Sequence, residues 1–344
     1  MYNRNMNKKV TMQDIAKKLN ISKVSVFKAL NDKHDISDEL KQKVIDCAIS
    51  LDYKYIDPLT RYGRFFYYII PKEYTASTEQ FYFGIYKSLY DLLTKKGISI
   101  EMMTADDDFS VKDFHNIIEN YHPHKINLYG VFWVGPISNQ KHNEFIDLNI
   151  PIVCIDNYIQ NTNGSFIYID DYHAGLSITQ YLINNGHRNI CMVNDNKAST
   201  NIDKYFGFRK ALYQNNIQFT ENMHIKLSLA VMENFKYFKL PEPTPTAFLF
   251  DSDYSAKNFM MVMISKGYKI PEDFSVASFD NTRLSEETVP TLTSIGVLAS
   301  EIADSAYKVM LKRLSSKILR PYMMILTSTI SKRDSVMRIS KWIN

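Results

Sequence analysis

Three cysteines in 344 residues are too few and too scattered for a disulfide frame or a metal site. Cys47, Cys154 and Cys191 lie far apart, and their odd number points to reduced thiols in a cytoplasm. No apolar run approaches the roughly 20 residues that cross a bilayer, so no membrane partner is expected. The first nine residues are polar and no apolar stretch with a small-residue cleavage site follows, so no signal peptide is expected either. The 11 glycines form neither a dinucleotide fingerprint nor a phosphate loop. A nucleophile elbow and clustered metal-ligand spacings are also missing. His122 and His124 flank Pro123 in a loop-like, solvated stretch. Neither enzyme chemistry nor a bound cofactor is expected.

Charge of one sign is scarce over most of the chain. The net charge is +4, with 23% charged and 45% hydrophobic residues. Residues 1–64 hold 13 Lys/Arg against 8 Asp/Glu, a surplus of five, so the other 280 residues sum to −1. A small basic head on a near-neutral body suits a nucleic-acid contact at one end, and equally a solvated basic terminus. The length is enough for two or three cores.

What the head does have is the stretch VTMQDIAKKLNISKVSVFKALND, residues 10–32. Thr11-Met12-Gln13-Asp14 fits a capping box, the hydroxyl accepting from the Asp14 N–H and the carboxylate reaching back to the Thr11 N–H. Ile15, Ala16 and Leu19 give an apolar face at helical spacing, and Asn20 ends the helix. Ser22 is a good N-cap for a second helix with Val26, Ala29 and Leu30 inward, stopped by Asn31-Asp32. Ser37 caps a third, with Asp38 and Glu39 in its first turn, where the helix dipole favours them. Leu40, Val44, Ile45, Ala48 and Leu51 form its stripe. Three short helices with a tight first turn make a helix-turn-helix unit. In such units the start of the second helix meets base edges in the major groove. Here that start is Lys23, Val24 and Ser25, with Lys28 one turn on. Lysine can donate to guanine O6 and N7, and valine can touch a thymine methyl. A three-helix protein-binding module is the alternative.

From residue 65 onwards strand-like and helix-like segments alternate. Strands are predicted at 65–70, 98–103, 128–134, 152–155, 190–194, 247–250 and 274–279. Helices are predicted at 81–96, 111–120, 140–148, 174–185, 207–215 and 256–266, with Gly97 ending the first. Such alternation gives parallel sheets with helices on both faces, and ligands sit at the carboxyl ends of the strands. Asp156 ends IVCID and Asp280 ends SVASFD. A carboxylate there can accept from ligand hydroxyls or amines, or serve as a plain cap or turn residue.

The head resembles the lactose-repressor (LacI) family of bacterial transcription regulators. The matching residues are Val10-Thr11-Met12-Gln13-Asp14-Ile15-Ala16, then Ile21 to Asn31, then Leu51-Asp52-Tyr53. Phe27 and Lys28 stand where the family has Ser and Arg, and a lysine cannot make arginine's planar bidentate contact. Further along, GHRNI (Gly186 to Ile190), YFGFRKAL (Tyr205 to Leu212) and PTAFLFDSDYSA (Pro245 to Ala256) are similar to family motifs in the same order. So are GYKIPEDFSVASFDN (Gly267 to Asn281), PTLTSI (Pro290 to Ile295) and SKRDSV (Ser331 to Val336).

The resemblance implies an N-terminal all-α helix-turn-helix headpiece and an α/β periplasmic-binding-protein-like body of two doubly wound parallel-sheet lobes. It divides the chain into a DNA-binding domain (1–56), a linker (57–64), an effector-binding and dimerisation body (65–335) and a tail (336–344). The N-lobe takes about 65–160 and 290–325, the C-lobe about 161–289 and 326–335, with crossings near 158–162, 286–290 and 324–327. The implied partners are a double-stranded DNA operator, a small-molecule effector and a second copy of the chain in a homodimer. A sugar is the first choice of effector, with a nucleoside or purine, or a protein partner, as alternatives. The candidate DNA contacts are Thr11, Ser22, Lys23, Val24, Ser25, Lys28 and Asn31, with Leu59 or Tyr62 as a minor-groove wedge. The candidate effector contacts are Phe81, Tyr82, Asp156, Lys204, Asp253 and Asp280, where Lys204 stands in place of an arginine and Ser252 in place of an asparagine.

Overall fold

The computed structural model describes residues 10–31, 35–51, 53, 65–74, 80–106, 108–121, 130–159, 162–194, 199–227, 233–315 and 322–339. Leu59, Tyr62, His122 and His124 lie outside these residues.

The head is three helices: α1 (Met12–Leu19), α2 (Lys23–Leu30) and α3 (Asp38–Ser50). At α1 the Asp14 carboxylate accepts from the Thr11 N–H at 2.8 Å and from the Thr11 hydroxyl at 2.7 Å. Asn20 closes the helix in the left-handed region at φ 53°, which a short polar side chain tolerates. The Ser22 hydroxyl then accepts from the Ser25 N–H at 2.9 Å and starts α2. Ile15, Ala16, Val26, Ala29, Val44, Cys47, Ala48 and Tyr53 form one small core. The opposite side of α2 carries Val24 and Phe27, 61% and 48% exposed, so these apolar residues contribute little to that core.

The body begins with β1 (Phe65–Pro71), α4 (Gln80–Thr94), β2 (Ser99–Ala105), α5 (Val111–Tyr121), β3 (Gly130–Val134), α6 (Asn139–Asp147), β4 (Ile152–Ile155) and β5 (Ser165–Ile169). It continues with α7 (Asp171–Asn184), β6 (Ile190–Asn194), α8 (Ser199–Gln214), β7 (His224–Lys226), α9 (Glu233–Lys236), β8 (Ala247–Phe250), α10 (Asp253–Ser265) and β9 (Ser275–Phe279). It ends with α11 (Leu284–Glu287), β10 (Thr293–Gly296), α12 (Ala299–Ser315), β11 (Tyr322–Leu326) and β12 (Thr329–Ser331). Two six-stranded sheets result, ordered β11-β5-β4-β3-β1-β2 and β12-β10-β9-β8-β6-β7. The pairings are parallel except that of β10 with β12. β1, β3, β4, β6, β8 and β9 are buried along their whole length, because helices cover both faces of the sheets.

The lobe boundaries differ from those expected. β5 pairs with β4 and β11 in the first sheet, so the chain first crosses after Ile169 and not at 158–162. β10 pairs with β9 and β12 in the second sheet, so the return follows Gly296 and not 286–290. The third crossing lies between Leu326 and Thr329, close to the 324–327 expected. The reason is local: the described residues between β4 and β5 hold no helix, so a rule of strict strand–helix alternation had no place for β5.

The tail is also shorter than expected. The Met337 N–H donates to the Ser275 hydroxyl at 3.1 Å and the Ile339 N–H to the Asn185 carbonyl at 2.8 Å. Residues up to 339 therefore belong to the second lobe. Gly186, at φ 96°, is the counterpart of that contact, since a Cβ there would lie 2.5 Å from the Ile339 carbonyl oxygen.

Candidate functional site

The site forms where the carboxyl ends of the two sheets meet. β4 and β9 each end in an aspartate at positive φ, Asp156 at 59° and Asp280 at 94°. Both N–H groups remain in the sheet, donating at 2.9 Å to Ile167 and Ile295 on the neighbouring strands. The chain then leaves the sheet sharply. Gly296 allows this at Asp280, because a Cβ on it would lie 2.5 Å from the Asp280 carbonyl.

Lys204 arrives on α8. Its position depends on two glycines that let the α7 and α8 backbones touch: a Cβ on Gly175 would lie 2.3 Å from the Lys204 carbonyl oxygen, and one on Gly207 would lie 2.1 Å from that of Tyr172. The Lys204 ammonium donates to the Asp251 carbonyl at 3.1 Å and sits 3.6 Å from Asp280 Oδ1, 4.0 Å from Asp171 Oδ1 and 4.9 Å from the Phe279 ring centre. From the first lobe, the Tyr82 hydroxyl donates to Asp156 Oδ2 at 2.8 Å. Tyr82 is fixed by the Tyr68 hydroxyl on its carbonyl at 2.7 Å and by the edge of Tyr74.

Burial raises the carboxylate pKa values, because a low-dielectric site disfavours the charged form. Asp156 is pushed up to about 6, with Lys204 and the Tyr82 hydroxyl pulling the other way. Asp171 and Asp280 are raised for the same reason, again opposed by Lys204. Burial works against the Lys204 charge, but Asp280, Asp171, Asp156 and Asp251 outweigh it and hold its pKa above the ordinary lysine value.

The structure thus brings Tyr82, Asp156, Lys204 and Asp280 together. Phe81 stands back, half-buried in the first lobe's core with its ring 5.4 Å from Tyr82. Asp253 lies one layer behind, accepting from the Ser278 hydroxyl and from both the N–H (2.6 Å) and hydroxyl (2.8 Å) of Thr282. It clamps the loop that carries Asp280. Ser252 caps α10 by accepting from the Ser255 N–H at 3.2 Å.

In the head, Lys23 and Val24 are exposed at the start of α2. The Ser25 hydroxyl pairs with that of Ser22 at 2.9 Å, Lys28 is ion-paired to Asp35, and the Asn31 amide donates to the Phe27 carbonyl at 2.8 Å.

The model of the periplasmic binding protein-like domain family matches residues 179–336. The chain is 24% identical to the probable HTH-type transcriptional repressor ExuR of Bacillus subtilis, over 96% of this chain and 99% of that protein. It is 22% identical to the HTH-type transcriptional repressor PurR of Histophilus somni, over 89% and 93%. Among solved structures it is similar to a LacI family transcriptional regulator from Enterococcus faecium with bound ribose, with a TM-score of 0.67 and 19% identity over 80% of this chain and 100% of that one. The chain is thus similar, over most of its length, to HTH-type transcriptional repressors, and its fold to that of a LacI family regulator. The curated relatives named here are transcription regulators.

Sequence reasoning missed three residues of this cluster. Asp171 caps no candidate list because β5, the strand before it, went unrecognised. Asp251 supplies a carbonyl, which any residue could supply. Tyr168, on β5, donates its hydroxyl to Asp203 on α8 and so links the two lobes directly.

Proposed function

We propose that this regulator reads a double-stranded DNA operator through its three-helix head and is controlled by a small molecule, a sugar or related metabolite, held between the lobes. The observation that carries the proposal is the inter-lobe cluster: Tyr82 and Asp156 from the first lobe, Lys204 and Asp280 from the second, all within one electrostatic neighbourhood. A ligand touching both halves favours one lobe arrangement over another, and that preference is what couples it to DNA. The ribose in the similar Enterococcus faecium structure supports the sugar class.

On the DNA side, Ser22, Lys23, Val24, Ser25 and Lys28 form the outward surface of α2, and Thr11 and Asn31 set the ends of the helices around it. One such head covers a half-site, so a homodimer on a pseudo-palindrome is the working unit. Phe83 and Tyr90, exposed two turns apart on α4, and Met261 and Ile264 on α10 are apolar surface available for pairing.

The test has two parts. Purified protein is used to retain duplexes from a random-sequence pool, and its thermal unfolding is followed against sugars, sugar phosphates, nucleosides and purines. A palindromic consensus and a raised midpoint with one ligand class are expected, since a ligand of the native state stabilises by mass action. Retention of no duplex above background defeats the DNA reading, and no midpoint shift with any class defeats the small-molecule reading.

A further inference from the structure

We infer that the effector carries a positively charged amine, and that the cleft suits an amino sugar over its neutral and anionic counterparts; this rests on the effector-binding reading above. The argument is a count of charges where water is excluded. Asp156, Asp171 and Asp280 converge on one cation, and among the described residues Lys204 is the only cation whose charge bears on Asp156 and Asp171. Lys204 is already engaged by the Asp251 carbonyl and by Asp280, its nearer carboxylate at 3.6 Å, with Asp171 at 4.0 Å. One positive charge offsets one carboxylate and leaves the others with a desolvation cost that a second cation would relieve.

An independent observation points to where that cation goes. Asp171 is 4% exposed, and its Oδ2 has no hydrogen-bond partner, while its Oδ1 faces Lys204. Folded proteins seldom bury an acceptor unpaired without a reason. An ammonium group fits it, offering three donors in a compact head. The hydroxyls of a sugar ring supply further donors to a wall that is rich in acceptors. A phosphate or carboxylate on the ligand would instead meet like charge, with Lys204 already committed. Neutral sugars would leave Asp171 Oδ2 to a hydroxyl, a weaker bond than one to an ammonium.

Calorimetric titration of the full chain tests this with D-glucosamine, D-galactosamine, their N-acetyl forms, D-glucose, D-galactose and glucose 6-phosphate. A free amine is expected to bind about tenfold or more tightly than its N-acetyl and neutral counterparts, the scale of one charged hydrogen bond. Asp171→Asn keeps the side-chain shape and is expected to bring the affinity of the free amine down to about that of its neutral counterpart. The ligand series on the unaltered chain decides the matter even where the variant fails to fold. A neutral or phosphorylated sugar that binds as tightly as its amine overturns the inference and leaves the effector-binding reading standing. If no member binds and none alters operator affinity, the amine inference fails together with the sugar reading.

Discussion

At Asp156 and Asp280 a non-glycine residue holds a positive φ, which costs roughly 1–2 kcal/mol and persists where the surroundings enforce it. Both lobes accept that cost at the same place, a strand end facing the other lobe. Asp280→Ala removes the nearer carboxylate of Lys204 without touching the head. Loss of the effector response with unchanged operator affinity is expected, read by operator titration with and without the effector; a preserved response would remove Asp280 from the ligand. In the head, Lys28 is held by Asp35. Lys28→Ala is expected to weaken operator binding by about tenfold, within the ~1–3 kcal/mol of a base contact. An unchanged titration would mean that Lys28 stays with Asp35 on DNA. The strand-end positions of Asp156 and Asp280 were legible because each ends an apolar run, but that pattern alone did not tell a ligand contact from a cap or turn residue. Asp171 was not, because the Asp-Asp pair reads as a helix cap until β5 is seen. Asp253 was legible as a site residue yet works behind the site, on Ser278 and Thr282.

At the scale of elements, the α7–α8 contact is what sets Lys204 against the carboxylates. Gly207→Ala places a methyl 2.1 Å from the Tyr172 carbonyl, which is backbone and cannot rotate away. The helices must separate, so a loss of about 1–3 kcal/mol in denaturant unfolding is expected, as for other overpacked interiors. Effector affinity should fall as well, because Lys204 moves with α8; an unchanged midpoint would show that the helices yield freely. Most body elements were legible to within a few residues, since long apolar strands and periodic helices of a parallel sheet carry strong local signals. Among the exceptions are the 17-residue α12 and the strands β7, β10, β11 and β12, which fall outside the predicted alternation, and β5, which follows β4 without a helix among the described residues; the pairing of Ile339 with Asn185 also joins segments remote in sequence. Local pattern cannot register such contacts. The head was legible throughout α1 and α2 because caps and apolar faces agree there.

For the whole molecule, the junction charges make stability depend on pH in a defined direction. Asp156 ionises near 6 in the folded chain and Asp253 near 7, the latter through burial and the Asp280 charge, against 3.8 for either when unfolded. Between those values the folded state holds protons that the unfolded state has released. Their contribution is therefore full below about pH 4 and is lost as pH rises through 6 to 7. Over the whole range the loss is on the order of 3 kcal/mol for Asp156 and 4 kcal/mol for Asp253. Urea midpoints taken from pH 5 to 7.5 should show this decline, and Asp253→Asn should flatten part of it by removing one of the two titrating groups. The same linkage makes the cleft costlier at neutral pH, where Asp156 is ionised and, among the described residues, Lys204 is the cation that opposes it. A ligand that supplies the missing positive charge should then stabilise the protein more at pH 7.5 than at pH 5. Thermal midpoints with saturating D-glucosamine at the two values would measure this, and an equal shift at both would separate effector binding from the ionisation of Asp156.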